Sequence, residues 1–178
     1  MEDISFYEYV VAQKGSKVIL KKVFLSIFYV LYVIGALLLG AFAKLILPLL
    51  AFIPLSLWMI VFFTWRYAKL EYEYSIVSGE LTLSNVYGGR SRRKVVSFRI
   101  KDCSLIAPLN DQYADRADAY GAEKVFVALS DTDSPSAYFA TFALDGKKCI
   151  IYFEATSHAL KVFKYYNSAA TVSVTLKK

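Results

Sequence analysis

The sequence predicts a membrane α-helical hairpin followed by an all-β (β-rich α+β) barrel with one C-terminal helix. Three observations lead there. Residues 23–65 form a block of 43 residues whose one charge is Lys44. Residues 70–178 break instead into short alternating runs divided by turn residues. Beyond residue 70 one stretch of helical periodicity, residues 159–166, comes late in the chain. At 57% hydrophobic residues the 178-residue chain is too apolar for an ordinary soluble protein, and with 20% charged residues it is not a disordered one.

The hairpin follows from length. A spanning helix needs about 20 apolar residues to cross about 30 Å of hydrocarbon. Residues 23–43 and 45–65 each supply 21. Together they are too long for one helix, so two helices meeting near Lys44 are expected, with the turn inside residues 40–48. Pro48 marks that turn and Pro54 predicts a kink in the second helix. Trp65 and Tyr67 suit the interfacial aromatic belt. Lys14, Lys17, Lys21 and Lys22 precede the first span, and Arg66 and Lys69 follow the second. Positive charge flanking both outer ends puts the N- and C-termini in the cytoplasm and makes the chain a multi-pass plasma-membrane protein. The competing reading is a signal peptide ending at Ala41-Phe42-Ala43. The apolar stretch before that point exceeds the 7–15 residues of such a peptide, and a second span follows at once. The spans carry no Asp, Glu, His or Arg, which argues against a channel or pump. Gly35, Ala36 and Gly40 are small enough to let the helices pack closely.

Residues 1–22 form an N-terminal cytoplasmic segment. Ile4, Tyr7, Val10 and Val11 recur at helical spacing after a cap at Asp3, so an amphipathic helix is one expectation. A segment packing on the soluble domain is the other. The hairpin then occupies residues 23–66 and the β domain residues 70–178. In Glu71-Tyr72-Glu73-Tyr74-Ser75-Ile76 the aromatic residues and Ile76 share one face, Ser78-Gly79 makes a tight turn, and Gly88-Gly89 makes another. Further strands are expected over residues 92–99, 104–107, 124–129, 137–143 and 148–154, about seven in all, with 171–176 as an eighth or a β-like tail. Thr156 or Ser157 caps the helix, and Ala159, Leu160, Phe163 and Tyr166 form its core-facing stripe. A seven-stranded antiparallel sheet closed on itself and plugged by that helix hides the strand edges and buries the stripe.

The run Tyr72-Glu73-Tyr74-Ser75-Ile76-Val77-Ser78-Gly79-Glu80-Leu81-Thr82-Leu83, followed by Arg90-Ser91-Arg92-Arg93-Lys94, resembles a family of small two-span proteins of Gram-positive bacteria with a pleckstrin-homology-like (PH-like) cytoplasmic domain. Met1-Glu2-Asp3, Ile106-Ala107-Pro108 and Phe153-Glu154-Ala155 extend the resemblance over nearly the whole chain. It implies a PH-like barrel and a membrane location, and it carries over no functional residue.

Candidate chemistry is sparse. Arg90, Arg92, Arg93 and Lys94, extended by Arg99 and Lys101, form a basic hairpin. A first strand of eight residues runs roughly 26 Å from the membrane at about 3.3 Å per residue, and its partner runs back. The arginines therefore return to the lipid surface, where anionic headgroups attract each basic side chain by about 1 kcal/mol. A solvated hairpin with no partner, and a protein ligand, stay open. Nucleic acid is disfavoured because the patch is short and lacks stacking aromatics. Seven acids between Asp102 and Asp133, against Arg116 and Lys124, give the domain an acidic middle. Cys103 and Cys149 are expected as buried reduced thiols and His158 as a surface residue. Asp111, Asp115 and Asp118 lack the spacing of a calcium loop, so a solvated loop is expected there, with a hairpin loop at residues 130–136. No catalytic, cofactor or metal motif stands out. The expected function is non-enzymatic binding or scaffolding through a protein or peptide partner at an open strand edge or the barrel rim. The alternatives are an accessory subunit whose hairpin packs on partner helices, and a hydrolase, which would need a polar pocket of perturbed titratable groups.

Overall fold

A computed structural model of the chain describes residues 6–14, 16–131 and 134–172, without the side chains of Ser16, Lys17 and Arg66. The chain forms two compact units. One is the helical hairpin of Lys14–Leu70 together with Tyr87–Ser91; the other is the β domain.

The hairpin consists of α1 (Ser16–Phe42) and α2 (Ile46–Thr64), both long and apolar enough to cross a membrane. Its turn is built on a Schellman-type end. Lys44 takes a left-handed φ of 54°, its N–H donates to the Ala41 carbonyl at 3.3 Å, and the Leu45 N–H donates to the Gly40 carbonyl at 2.9 Å. The Lys44 cation thus sits at the negative end of the α1 dipole. Pro48 lies in the first turn of α2, where a missing N–H costs nothing. Pro54 lies inside α2, so the Leu50 carbonyl lacks its helical donor there. The two helices meet through polar pairs, Tyr29 with Thr64 Oγ1 at 2.5 Å and Tyr32 with Ser56 Oγ at 2.7 Å. Of the small residues, Gly40 matters for packing: a Cβ there would lie 2.5 Å from Leu49 Cδ1, whereas a Cβ at Gly35 would meet nothing.

Among the described residues the β domain holds eight strands in two four-stranded sheets. The first orders β1 (Phe6–Ala12), β2 (Leu70–Val77), β3 (Glu80–Tyr87) and β4 (Ser91–Arg99) side by side. The N-terminal segment corrects the helical expectation, because residues 6–12 are a strand paired antiparallel to β2, with Tyr9 opposite Tyr74 and Ala12 opposite Glu71. The apolar set that matters has period two: Tyr7, Tyr9 and Val11 are turned inward while Phe6 and Val10 are exposed. The Tyr9 hydroxyl donates to the Glu154 carbonyl at 2.8 Å, and the Tyr7 hydroxyl shares a 2.8 Å hydrogen bond with Thr156 Oγ1. Ser78 (φ 49°) and Gly79 (φ 80°) make the expected tight turn between β2 and β3.

The second sheet orders β5 (Leu105–Pro108), β7 (Ala137–Leu144), β8 (Lys147–Glu154) and β6 (Lys124–Ala128). Asp145-Gly146 joins β7 to β8, and β6 runs parallel to β8. Two sheets with one parallel pair replace the single closed antiparallel sheet of seven strands. α3 (Asp111–Ala119) replaces the expected solvated loop. Its Ala117 packs on Ala107, Phe139 and Ile150, with Tyr113 alongside, and this second small core outweighs the polarity of the segment. The main core holds Tyr74, Leu81, Leu83, Tyr138, Phe142 and Phe153. α4 (Ser157–Tyr166) closes it, capped by Thr156 Oγ1, which accepts from the Ala159 N–H at 3.1 Å. Its Ala159, Leu160, Val162 and Phe163 are buried, and Phe163 meets Phe153 edge-on at 5.6 Å. The tail after α4 bridges β5 at Thr171, and most of the expected strand 171–176 lies outside the described residues.

Candidate functional site

The basic hairpin divides between the two units. Gly88 and Gly89, with φ of 58° and 70°, fold the β3–β4 turn tightly, and the Arg90 N–H donates to the Tyr87 carbonyl at 3.3 Å. The turn is pinned to the chain leaving α2. The Gly88 N–H donates to the Lys69 carbonyl at 3.0 Å, and the Tyr87 ring lies 6.1 Å from that of Tyr67. Arg90 therefore belongs with the hairpin, whereas Arg92, Arg93 and Lys94 lie on β4 in the β domain.

The four cations are not equivalent. Arg92 forms an ion pair with Glu73 at 3.0 Å. The Arg92 side chain is 67% exposed and that of Glu73 only 10%, so the arginine covers a carboxylate that alternation alone would have turned to solvent. Among the described residues no ion pair reaches Arg90, Arg93 or Lys94. All three are exposed.

A groove of about 430 Å³ opens beside Arg90 within the hairpin unit. Trp58, Val61 and Phe62 of α2 form its apolar floor, and Trp65, Lys69, Gly88 and Arg90 complete its lining. Trp58 stacks on Phe62 at 5.8 Å and stays 66% exposed. Among the described residues no acidic side chain lines the groove. Lys69 is thus a candidate the sequence offered only as a topology charge. Its place beside Arg90 depends on the Gly88 to Lys69 hydrogen bond, between residues 19 positions apart. A second groove of about 570 Å³, between α1 and the chain leaving α2, is apolar apart from Lys21 and Thr64, with Leu20, Phe24 and Leu25 on its α1 side.

In the β domain, β6 is the end strand of its sheet. α3 packs through Ala117 on Ala107 of β5, Phe139 of β7 and Ile150 of β8. Val125 and Val127 are 57% and 56% exposed on a strand that, among the described residues, has β8 as its one neighbour.

The titratable groups with shifted pKa values are pushed away from ionisation. Burial, and secondarily Asp102, raises the Cys103 thiol to about 12. Burial raises Tyr9 and Tyr74 as well, each beside the other's phenol. The Tyr74 hydroxyl donates to the Ala128 carbonyl. Both cysteines are free and buried. His158 corrects its expected surface placement: it is half-buried, 4.3 Å from the Tyr7 ring, because β1 lies over the start of α4. Among the described residues no cluster of three His, Cys, Asp or Glu side chains could hold a metal ion.

A β-rich domain of two sheets closed by a late helix, carrying a helical hairpin, defines a PH-like protein of bacterial type. The chain belongs to the bacterial PH-like domain family DUF6106, whose profile matches residues 2–173. Comparison with curated proteins and with solved structures found no match.

Proposed function

We propose that the chain is a non-catalytic binding or scaffolding protein. Its hairpin spans the plasma membrane with both termini cytoplasmic, and its PH-like domain captures a protein partner along β6. The end position of β6 in its sheet among the described residues carries this reading. An edge strand offers a row of backbone donors and acceptors, and an extended peptide can add to it as a further strand. Val125 and Val127, alternating outward and more than half exposed, offer apolar contacts to alternate side chains of such a peptide. A buried thiol held in its unreactive form and phenols spent on carbonyls suit a binding fold rather than a nucleophile.

A second reading has its own observation. The apolar groove at Leu20, Phe24 and Leu25 fits a helix of a partner subunit, which would make the chain an accessory subunit of a membrane transporter or enzyme complex.

Photo-crosslinking in native membranes tests the two. A crosslinker at Val127 is expected to trap a protein, and Val125→Lys is expected to abolish that adduct. An adduct from Phe24 with none from Val127 overturns the strand-edge reading in favour of the subunit reading.

A further inference from the structure

The α2–turn groove is amphipathic along its length. Trp58 and Trp65 are seven residues apart, about 10 Å along a helix at about 1.5 Å per residue. The floor at Trp58, Val61 and Phe62 is apolar and belongs to the span, whereas Lys69 and Arg90 stand at the end where α2 gives way to polar chain. Both cations are exposed and meet no carboxylate among the described residues. The Gly88 to Lys69 hydrogen bond ties the turn that carries Arg90 to the residue that carries the second cation.

We propose that this groove holds one anionic glycerophospholipid of the surrounding bilayer, its phosphate taken by Lys69 and Arg90 and an acyl chain laid along Trp58, Val61 and Phe62. The proposal rests on the reading that the hairpin spans a membrane. Charge complementarity selects the headgroup: two cations without an acid favour a net negative head over a zwitterionic one, whose own ammonium would stand beside Lys69 and Arg90. Shape selects the class: the apolar floor gives a chain a surface that a soluble phosphate would leave bare. Arg92 is excluded from the site by its pairing with Glu73.

The two tryptophans of the chain, Trp58 and Trp65, both line the groove, so tryptophan emission, excited selectively over the tyrosines, reports from it. The experiment reconstitutes the full-length protein in phosphatidylcholine vesicles doped with a small fraction of brominated-acyl phosphatidylglycerol or brominated-acyl phosphatidylcholine. Brominated phosphatidylglycerol is expected to half-quench at a roughly thirtyfold lower mole fraction, the scale set by two interfacial cations. Lys69→Gln/Arg90→Gln is expected to remove that preference, and Arg93→Gln/Lys94→Gln, which changes equal charge outside the groove, to keep it. Equal quenching by both lipids in the unaltered protein overturns the site while leaving the hairpin in the bilayer. So does an equal loss in both double variants. Absence of quenching by either lipid overturns the spanning reading itself.

Discussion

Tyr9 and Tyr74 stack at 4.7 Å with 14° between their rings, opposite one another in the β1–β2 ladder. The pair joins strands separated in sequence by the whole helical hairpin, and the Tyr9 hydroxyl reaches on to the Glu154 carbonyl of β8. One side chain of the N-terminal segment thus touches both sheets.

Tyr9→Phe keeps the ring and removes the donor to Glu154, which should cost about 1 kcal/mol, or a fall in Tm of about 5 °C for a domain of this size. Tyr9→Ala also removes the stacking and part of the buried area, and about 2–3 kcal/mol is expected. Thermal melts of the full-length protein in detergent check both. Equal melting of Tyr9→Phe and the parent protein would mean that the hydrogen bond contributes nothing net.

Gly79 and Gly146 separate two reasons for a glycine. Both have left-handed φ, 80° and 75°. A Cβ at Gly79 would lie 2.7 Å from Tyr166 Cδ1 of α4, and one at Gly146 would meet nothing within 4 Å. Gly146→Ala should cost about 1 kcal/mol from backbone strain alone. Gly79→Ala adds the displacement of an aromatic ring and should cost about 2–3 kcal/mol. The same melts rank the two variants, and the reverse ranking would contradict the packing at Tyr166.

The Cys103 thiol has its pKa raised from the ordinary value of 9 to about 12 by burial. The native state therefore keeps a proton that the unfolded chain releases above pH 9. The stability tied to that proton is complete below pH 9 and is lost as pH rises towards 12. The raised Tyr9 and Tyr74 phenols act in the same direction at higher pH. Denaturation midpoints should hold steady from pH 7 to 9 and fall beyond. Cys103→Ser should flatten the first part of that fall. At pH 8, thiol reagents should label the native protein far more slowly than the unfolded one, as fits a thiol 5% exposed.

Topology gives a further prediction. The α1–α2 turn carries Lys44 alone, whereas Lys21, Lys22 and Lys69 flank the outer ends. In the Cys103→Ser/Cys149→Ser background, Lys44→Cys should react with a membrane-impermeant maleimide on intact cells, and Arg93→Cys only after permeabilisation. Labelling of Arg93→Cys in intact cells would invert the arrangement.

Local signals carried much of this fold. The two helices, the turn at Lys44, the Ser78-Gly79 turn, the Thr156 cap and the buried stripe of α4 all depend on residues within a few positions of one another, where charge, positive φ and periodicity act directly. The start of α3 at Asn110-Asp111 was instead expected as a solvated loop, and the Asp145-Gly146 turn was not among the expected turns. What the tertiary structure alone decided is non-local. Residues 6–12 are too short for periodicity to separate helix from strand, and β2 decides by offering an edge some 60 positions away. The parallel pairing of β6, the burial of Glu73 beneath Arg92 and the meeting of Lys69 with Arg90 likewise depend on which distant segments come to lie side by side. Sequence spacing constrains such meetings weakly, because closing a long loop costs little more than closing a shorter one.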